Sequence, residues 1–139
     1  MYTTEYNVLL IDDDKFFIDI FLHPIVASLT NKIMNTEKKL KNITLAYDST
    51  EGWEKYQIIK PDIVFTDYNM PIMNGKELIE KIGKHTHKPK AIFLMSNDFI
   101  TNIKEITKFI HKKDIIDSFF QMKKEALKNY SNGDIQNIS

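Results

Sequence analysis

The sequence predicts a single doubly wound α/β domain, a five-stranded parallel sheet with helices on both faces. Three observations predict it. Short apolar runs alternate with longer segments of helical period along the chain. The strongest runs, Val8-Leu9-Leu10-Ile11, Ile63-Val64-Phe65 and Ala91-Ile92-Phe93-Leu94-Met95, are continuous. Continuous runs suit strands buried on both faces, whereas a half-exposed sheet would alternate. Each run also ends in polar residues: Asp12-Asp13-Asp14, Thr66-Asp67 and Ser96-Asn97-Asp98.

The elements follow in order. After the first strand, Lys15 to Leu29 has a helical period, with Phe16, Phe17, Ile20 and Phe21 as a wide apolar face; Pro24 should kink or restart it. Thr30 to Asn42 reads as an insertion, a helical extension solvated by Lys32, Lys38, Lys39 and Lys41. A weaker strand at Ile43 to Tyr47 comes next. Ser49 or Thr50 can cap a second helix running to about Ile59, and Pro61 stops it before the strand that carries Asp67. Asn74-Gly75 opens a third helix with Leu78, Ile79 and Ile82 facing inward. Phe99 to Ile106 is a short fourth segment, Lys108 to His111 a fifth strand, and Asp114 to Tyr130 the last helix. A domain over residues 1–130 and a frayed tail over 131–139 are expected.

Composition narrows the function. A chain of 139 residues, 42% hydrophobic and 27% charged, closes a core without staples. The absence of cysteine excludes disulfides, thiolate metal sites and cysteine nucleophiles. Nineteen cations balance nineteen anions, leaving no global field for nucleic acid or an anionic membrane. All the cations are lysine, so the rigid guanidinium fork that reads guanine edges is missing and no direct DNA binding is expected. No apolar run approaches the roughly 20 residues of a membrane span, and the start lacks a signal-peptide pattern. A cytoplasmic protein without membrane contact is expected.

Right-handed crossovers place the carboxyl ends of parallel strands on one edge of the sheet, where such folds bind ligands. That gathers Asp12, Asp13, Asp67, Ser96 and Lys112 at one edge. Carboxylates from two strand ends repel unless a cation sits among them, and magnesium, with its preference for oxygen ligands, suits the set. His23, His85, His87 and His111 are scattered, and His85-x-His87 reads as a solvated loop.

The most specific motif is Pro61-Asp62-Ile63-Val64-Phe65-Thr66-Asp67 followed by Met70-Pro71 and Asn74-Gly75. It resembles the phosphoacceptor strand and loop of response-regulator receiver domains of two-component signalling. The likeness extends to the acidic run after the first strand, to Ser96 and to Lys112, covering about residues 6 to 130. The resemblance implies a flavodoxin-like sheet of strand order 2-1-3-4-5 and a stand-alone, chemotaxis-regulator-like receiver. It implies Asp67 as the residue that forms an acyl phosphate, and Mg2+ held by Asp13, by Asp12 through water, by Asp67 and by the main-chain carbonyl of Asn69. Ser96 would donate its hydroxyl to one phosphoryl oxygen and Lys112 its charge to another. Phe109, three residues before Lys112, stands where the family's switch aromatic follows the hydroxyl residue inward. The implied partners are a sensor histidine kinase or histidine phosphotransfer protein and a downstream protein, with no enzymatic activity beyond the domain's own phosphorylation and dephosphorylation.

The chain departs from the family at three places. Lys113 replaces the proline that normally follows the lysine, so a trans peptide bond is expected there. Asn97 replaces a small residue after Ser96 and would narrow access for the phosphodonor. The stretch from Ser96 to Lys112 is short. These departures leave a second reading open, a receiver-like interaction module that works without phosphate. A third reading takes Asp12 and Asp14 as an Asp-x-Asp pair resembling haloacid-dehalogenase-type phosphatases, with Asp12 as nucleophile and Asp14 as general acid.

Overall fold

The first apolar run becomes β1 (Glu5–Ile11), and Asp14 starts the helical segment after it. The computed structural model describes residues 5–34, 37–100 and 108–131. The Asp14 carboxylate accepts the Phe17 N–H at 3.0 Å, capping the helical segment over residues 17–30, here α1. This segment comprises a π turn at Phe17–Leu22, a 3-10 turn at His23–Ile25 and an α turn at Val26–Thr30. Pro24, which has no N–H to give, sits in the 3-10 turn where regular α bonding breaks. The π turn bonds each residue to the one five away, so Phe17 and Leu22 share the buried face. The expected face of Phe16, Phe17, Ile20 and Phe21 is therefore split: Phe17 is buried, whereas Phe16 is 65% and Ile20 43% exposed.

β2 (Lys39–Ala46) is longer than the sequence suggested. Lys39 to Asn42, read as part of a helical extension, pair with the start of β1 across a register shift at Tyr6/Asn7. Charged residues that would solvate a helix serve equally on an exposed sheet edge, where they discourage further pairing. α2 (Ser49–Ile59) is capped by Asp48, whose carboxylate accepts the Glu51 N–H at 2.7 Å, and not by Ser49 or Thr50. β3 (Ile63–Asp67) leads through a loop to α3 (Gly75–Lys84), where Asn74 and Glu77 form a reciprocal capping box. β4 is Ala91–Ser96 and β5 is Lys108–His111. Of the short fourth segment, residues 101–107 lie outside the described residues, and Phe99 and Ile100 are not helical. α4 (Lys112–Ser131) starts earlier than expected, directly at the end of β5. No cis peptide bond occurs among the described residues, as expected for Lys112-Lys113.

The five strands are parallel in the order β2-β1-β3-β4-β5. Strand alternation divides the core between the two faces. Val8, Leu10, Phe65, Phe93 and Ile110 pack under α1 and α4, with Phe65 and Phe93 stacked at 4.5 Å. Leu9, Ile11, Val64, Leu94 and the half-buried Phe109 pack with Tyr56, Leu78, Ile79 and Ile82 of α2 and α3.

His85 and His87 do not form a solvated loop. The His85 ring stands edge-on to Trp53 and Tyr56, and a His87 ring nitrogen lies 2.7 Å from the Pro61 carbonyl oxygen. The Tyr56 hydroxyl donates to the His87 carbonyl at 2.8 Å. The two histidines thus close the end of α3 over α2, which the i, i+2 spacing alone could not reveal.

Candidate functional site

The alternation that builds the core also builds the site. In strand parity, Asp12 follows Leu10 and Asp67 follows Phe65, so both extend the face beneath α1, and Lys112, the first residue of α4, reaches the same face with its ammonium over the Phe17 ring. Asp12 is fully buried, Asp67 is 4% exposed and Lys112 7%. The Lys112 ammonium lies 2.8 Å from Asp12 Oδ2 and 3.3 Å from Asp67 Oδ1. It also sits 4.6 Å above the centre of the Phe17 ring, a cation–π contact. Asp13 is exposed and completes the group: one carboxylate oxygen each from Asp12, Asp13 and Asp67 lies within 4.8 Å of the others.

The electrostatics follow from burial. Burial pushes the Asp67 carboxyl up to about 7; the Asp12 charge adds to the rise, and Lys112 opposes it. Asp12 is raised too, burial outweighing the Lys112 ammonium and the Asp14 N–H. Burial pulls Lys112 down, but Asp12 and Asp67 together leave it above its ordinary value. Two carboxylates and one ammonium in so small a volume titrate as a unit. Asp12 Oδ1 accepts the Asp14 N–H at 2.9 Å, and buried Asp12 Oδ2 faces the Lys112 ammonium at 2.8 Å. Three clustered carboxylates carry more negative charge than one ammonium offsets, and hard oxygen donors of this kind fit a hard divalent cation.

The loop after β3 is tied on both sides. Tyr68 N–H donates to the Met95 carbonyl at 2.9 Å, Gly75 N–H to the Tyr68 carbonyl at 2.8 Å, and Ser49 Oγ to the Pro71 carbonyl at 3.3 Å. Position 75 must be glycine, since a Cβ there would lie 2.4 Å from the Asp67 carbonyl oxygen. Asn69 is exposed within this loop. Ile72 has φ 73° and centres a γ-turn closed by Met73 N–H to the Pro71 carbonyl at 2.8 Å. A β-branched residue in that region is strained, and at 91% exposure Ile72 gains little packing in return. Ile72→Gly is expected to raise stability by about 1 kcal/mol in urea unfolding; an unchanged or lower midpoint would mean that the turn is not strained.

The predicted residues are therefore not gathered equally. Asp12, Asp13, Asp67 and Lys112 meet. Ser96 is fully buried but continues the opposite face, and its Oγ accepts the Asp98 N–H at 3.0 Å. Phe109 continues that face as well, its ring 6.2 Å from that of Phe99. Asp14, the general acid of the phosphatase reading, is occupied in capping α1. Phe17 was missed as a site residue. Its signal lies in the spacing, three residues after an N-cap aspartate, which turns it back over the strand ends.

The response regulator receiver domain model matches residues 8–129. Among curated proteins, the chain is 33% identical over 92 residues to a protein-glutamate methylesterase/protein-glutamine glutaminase of Colwellia psychrerythraea, covering 66% of this chain and 21% of that protein. An uncharacterized response regulatory protein of Vibrio cholerae is 29% identical over 92 residues, covering 66% of this chain and 35% of that one. The chain thus spans about a fifth to a third of these relatives. Among solved structures, the receiver domain of the putative response regulator NarL of Mycobacterium tuberculosis superposes with TM-score 0.61 at 18% identity, over 86% of this chain and 97% of that one. The response regulator domain of Thermotoga maritima CheB gives 0.56 at 20%, over 88% and 96%. Both likenesses carry the fold, and the family model carries more. With its five parallel strands in the order β2-β1-β3-β4-β5 and its acidic edge, this chain belongs to the response regulator receiver domain family.

Proposed function

We infer that this domain accepts a phosphoryl group on Asp67 from a phosphohistidine of a sensor histidine kinase or histidine phosphotransfer protein. The observation that carries the reading is the position of the Asp67 carboxylate. It is nearly buried at a strand end, 3.3 Å from the Lys112 ammonium and grouped with two further carboxylates. An Asp67 oxygen attacks phosphorus, the P–N bond to the donor imidazole breaks, and that nitrogen keeps the bonding pair and takes up a proton. Asp67 then carries an acyl phosphate.

Asp12, Asp13, Asp67 and the main-chain carbonyl of Asn69 would hold Mg2+, with Asp12 acting through a water. The ion supplies neutralisation of the charge on the transferring group. Lys112 stands ready for one phosphoryl oxygen. Ser96 Oγ, accepting from Asp98 N–H, keeps its own hydrogen to donate to another. Drawing Ser96 toward the phosphoryl group moves the β4 loop, and Phe109 reads that motion by packing alone, since it has no hydroxyl. One receiver unit over residues 1–130, working in the cytoplasm through a protein partner and without direct DNA contact, fits this reading. No helix among the described residues is long and apolar enough to cross a membrane.

The test is incubation with Mg2+ and acetyl phosphate, followed by intact mass measurement. Wild type is expected to gain one phosphoryl group, with none on Asp67→Ala and none after chelation. Labelling that persists in Asp67→Ala, or none in wild type, would overturn the reading, the second outcome favouring the phosphate-independent interaction module.

A further inference from the structure

We propose that His111 is a positioning residue for Lys112, acting as the N-cap that ties the first turn of α4 to the end of β5. The proposal rests on the reading of Lys112 as a partner of the phosphoryl group. β5 ends at His111 and α4 begins at Lys112, so no loop separates the strand from the helix. Lys112 thereby takes its direction from the backbone turn at this junction. A lysine side chain has four rotatable bonds and cannot fix its own ammonium against two carboxylates 2.8 and 3.3 Å away unless its Cα is held.

The junction is unfavourable by its own composition. Lys112 and Lys113 place two cations in a first turn where the helix dipole favours anions, with Asp114 as the acidic residue there. The first N–H groups of the helix also lack helical acceptors. The His111 imidazole answers this need: its Nδ1 accepts the Lys113 N–H at 3.1 Å, the contact that an N-cap asparagine or aspartate would make. That bond requires Nδ1 to be without a proton, so the neutral ring carries its hydrogen on Nε2. The ring is steadied from outside by Phe99, whose centroid is 5.6 Å away, and its backbone lies in register with Ser96. His111 is thus placed between the loop that follows Ser96 and the helix that carries Lys112. The sequence signal is the departure at Lys113: proline there would have no N–H to donate, whereas lysine supplies one and His111 receives it.

The test compares His111→Asn, which keeps an acceptor for the N–H of the second helical residue, with His111→Leu, which keeps bulk against Phe99 but has no acceptor. The first readout is the 15N signal of the Lys112 ammonium, visible by NMR when its protons are held in a buried ion pair and independent of any phosphorylation. It is expected in wild type and His111→Asn and lost by exchange broadening in His111→Leu. The second is labelling of Asp67 by acetyl phosphate. The limiting rate is expected to fall about fivefold in His111→Leu, with half-saturation unchanged and recovery in His111→Asn. The third is the imidazole 15N pattern of wild type at neutral pH, which is expected to show unprotonated Nδ1. Three results each overturn the proposal: a protonated Nδ1 in wild type, an unaltered lysine signal in His111→Leu, or equal losses in both variants. If wild type takes no phosphoryl group, the phosphoacceptor reading fails while the lysine signal still decides the role of His111. If His111→Leu does not fold, the tautomer in wild type decides it.

Discussion

Lys112→Met is expected to cost about 3 kcal/mol of stability in the metal-free protein at neutral pH, measured by urea unfolding. Methionine keeps nearly the same length and its contact with Phe17, so the loss is electrostatic rather than a cavity. What remains is Asp12, fully buried, facing Asp67 at 4% exposure with their shared cation gone. Each carboxyl is already raised by burial, and without the ammonium that opposes the rise both go higher. The folded protein escapes by taking up protons, which costs less as pH falls, so the deficit of the variant should narrow between pH 7 and pH 5. Lys112→Arg keeps the charge, but its planar fork does not match an ammonium seated between two carboxylates over a ring, and it should recover only part of the loss. A methionine variant as stable as wild type at pH 7 would show that Lys112 does not neutralise the pair in solution.

Sheet and site differ in how legible they are in sequence, and the difference is physical. The β1, β3 and β4 runs are apolar on both faces, so a short window identifies each as a buried strand and places its polar end at the sheet edge. Asp12, Asp67 and Lys112 could be gathered by topology because strand ends in a parallel sheet have nowhere else to go. In the edge strand β2 the apolar pattern begins only at Ile43, since Lys39, Lys41 and Asn42 solvate an exposed strand as readily as a helix. The buried face of α1 departs from a period of 3.6 because a π turn runs before Pro24. Caps are the least legible, being decided by backbone geometry at one residue: Asp48 caps α2 in place of Ser49 or Thr50, and no pattern marks Asp14 or His111 as acceptors for the helix that follows. The direction of Ser96 was also beyond sequence. A strand end fixes which edge a residue reaches, whereas a one-residue offset from Asp67 to Met95 and Ser96 decides the face.

If the acidic group holds Mg2+ as proposed, the effect of the ion on stability is expected to depend steeply on pH. The Asp67 carboxyl titrates near 7 in the folded domain against an ordinary value of 3.8, so between those limits the folded protein holds a proton that the unfolded chain has released. A raised carboxyl therefore contributes a loss of metal-free stability as pH rises from about 4 to about 7, with little further change above that. Asp12, raised by the same burial, adds to the loss in the same direction. Mg2+ held by Asp12, Asp13 and Asp67 as proposed would take the ionised carboxylates and displace those protons below pH 7, so its apparent affinity should climb by up to about tenfold per pH unit for each proton displaced and then level off. Because a ligand stabilises by the logarithm of its saturation, the rise in Tm caused by a fixed millimolar Mg2+ should be small at pH 5 and largest near pH 8. Thermal melts with and without Mg2+ across that range test this, with Asp67→Asn as the control. Asparagine cannot ionise, so both the metal-free decline and the Mg2+ increment should shrink in that variant. An increment equal at pH 5 and pH 8, or one retained in full by Asp67→Asn, would place the stabilising cation somewhere other than this pocket.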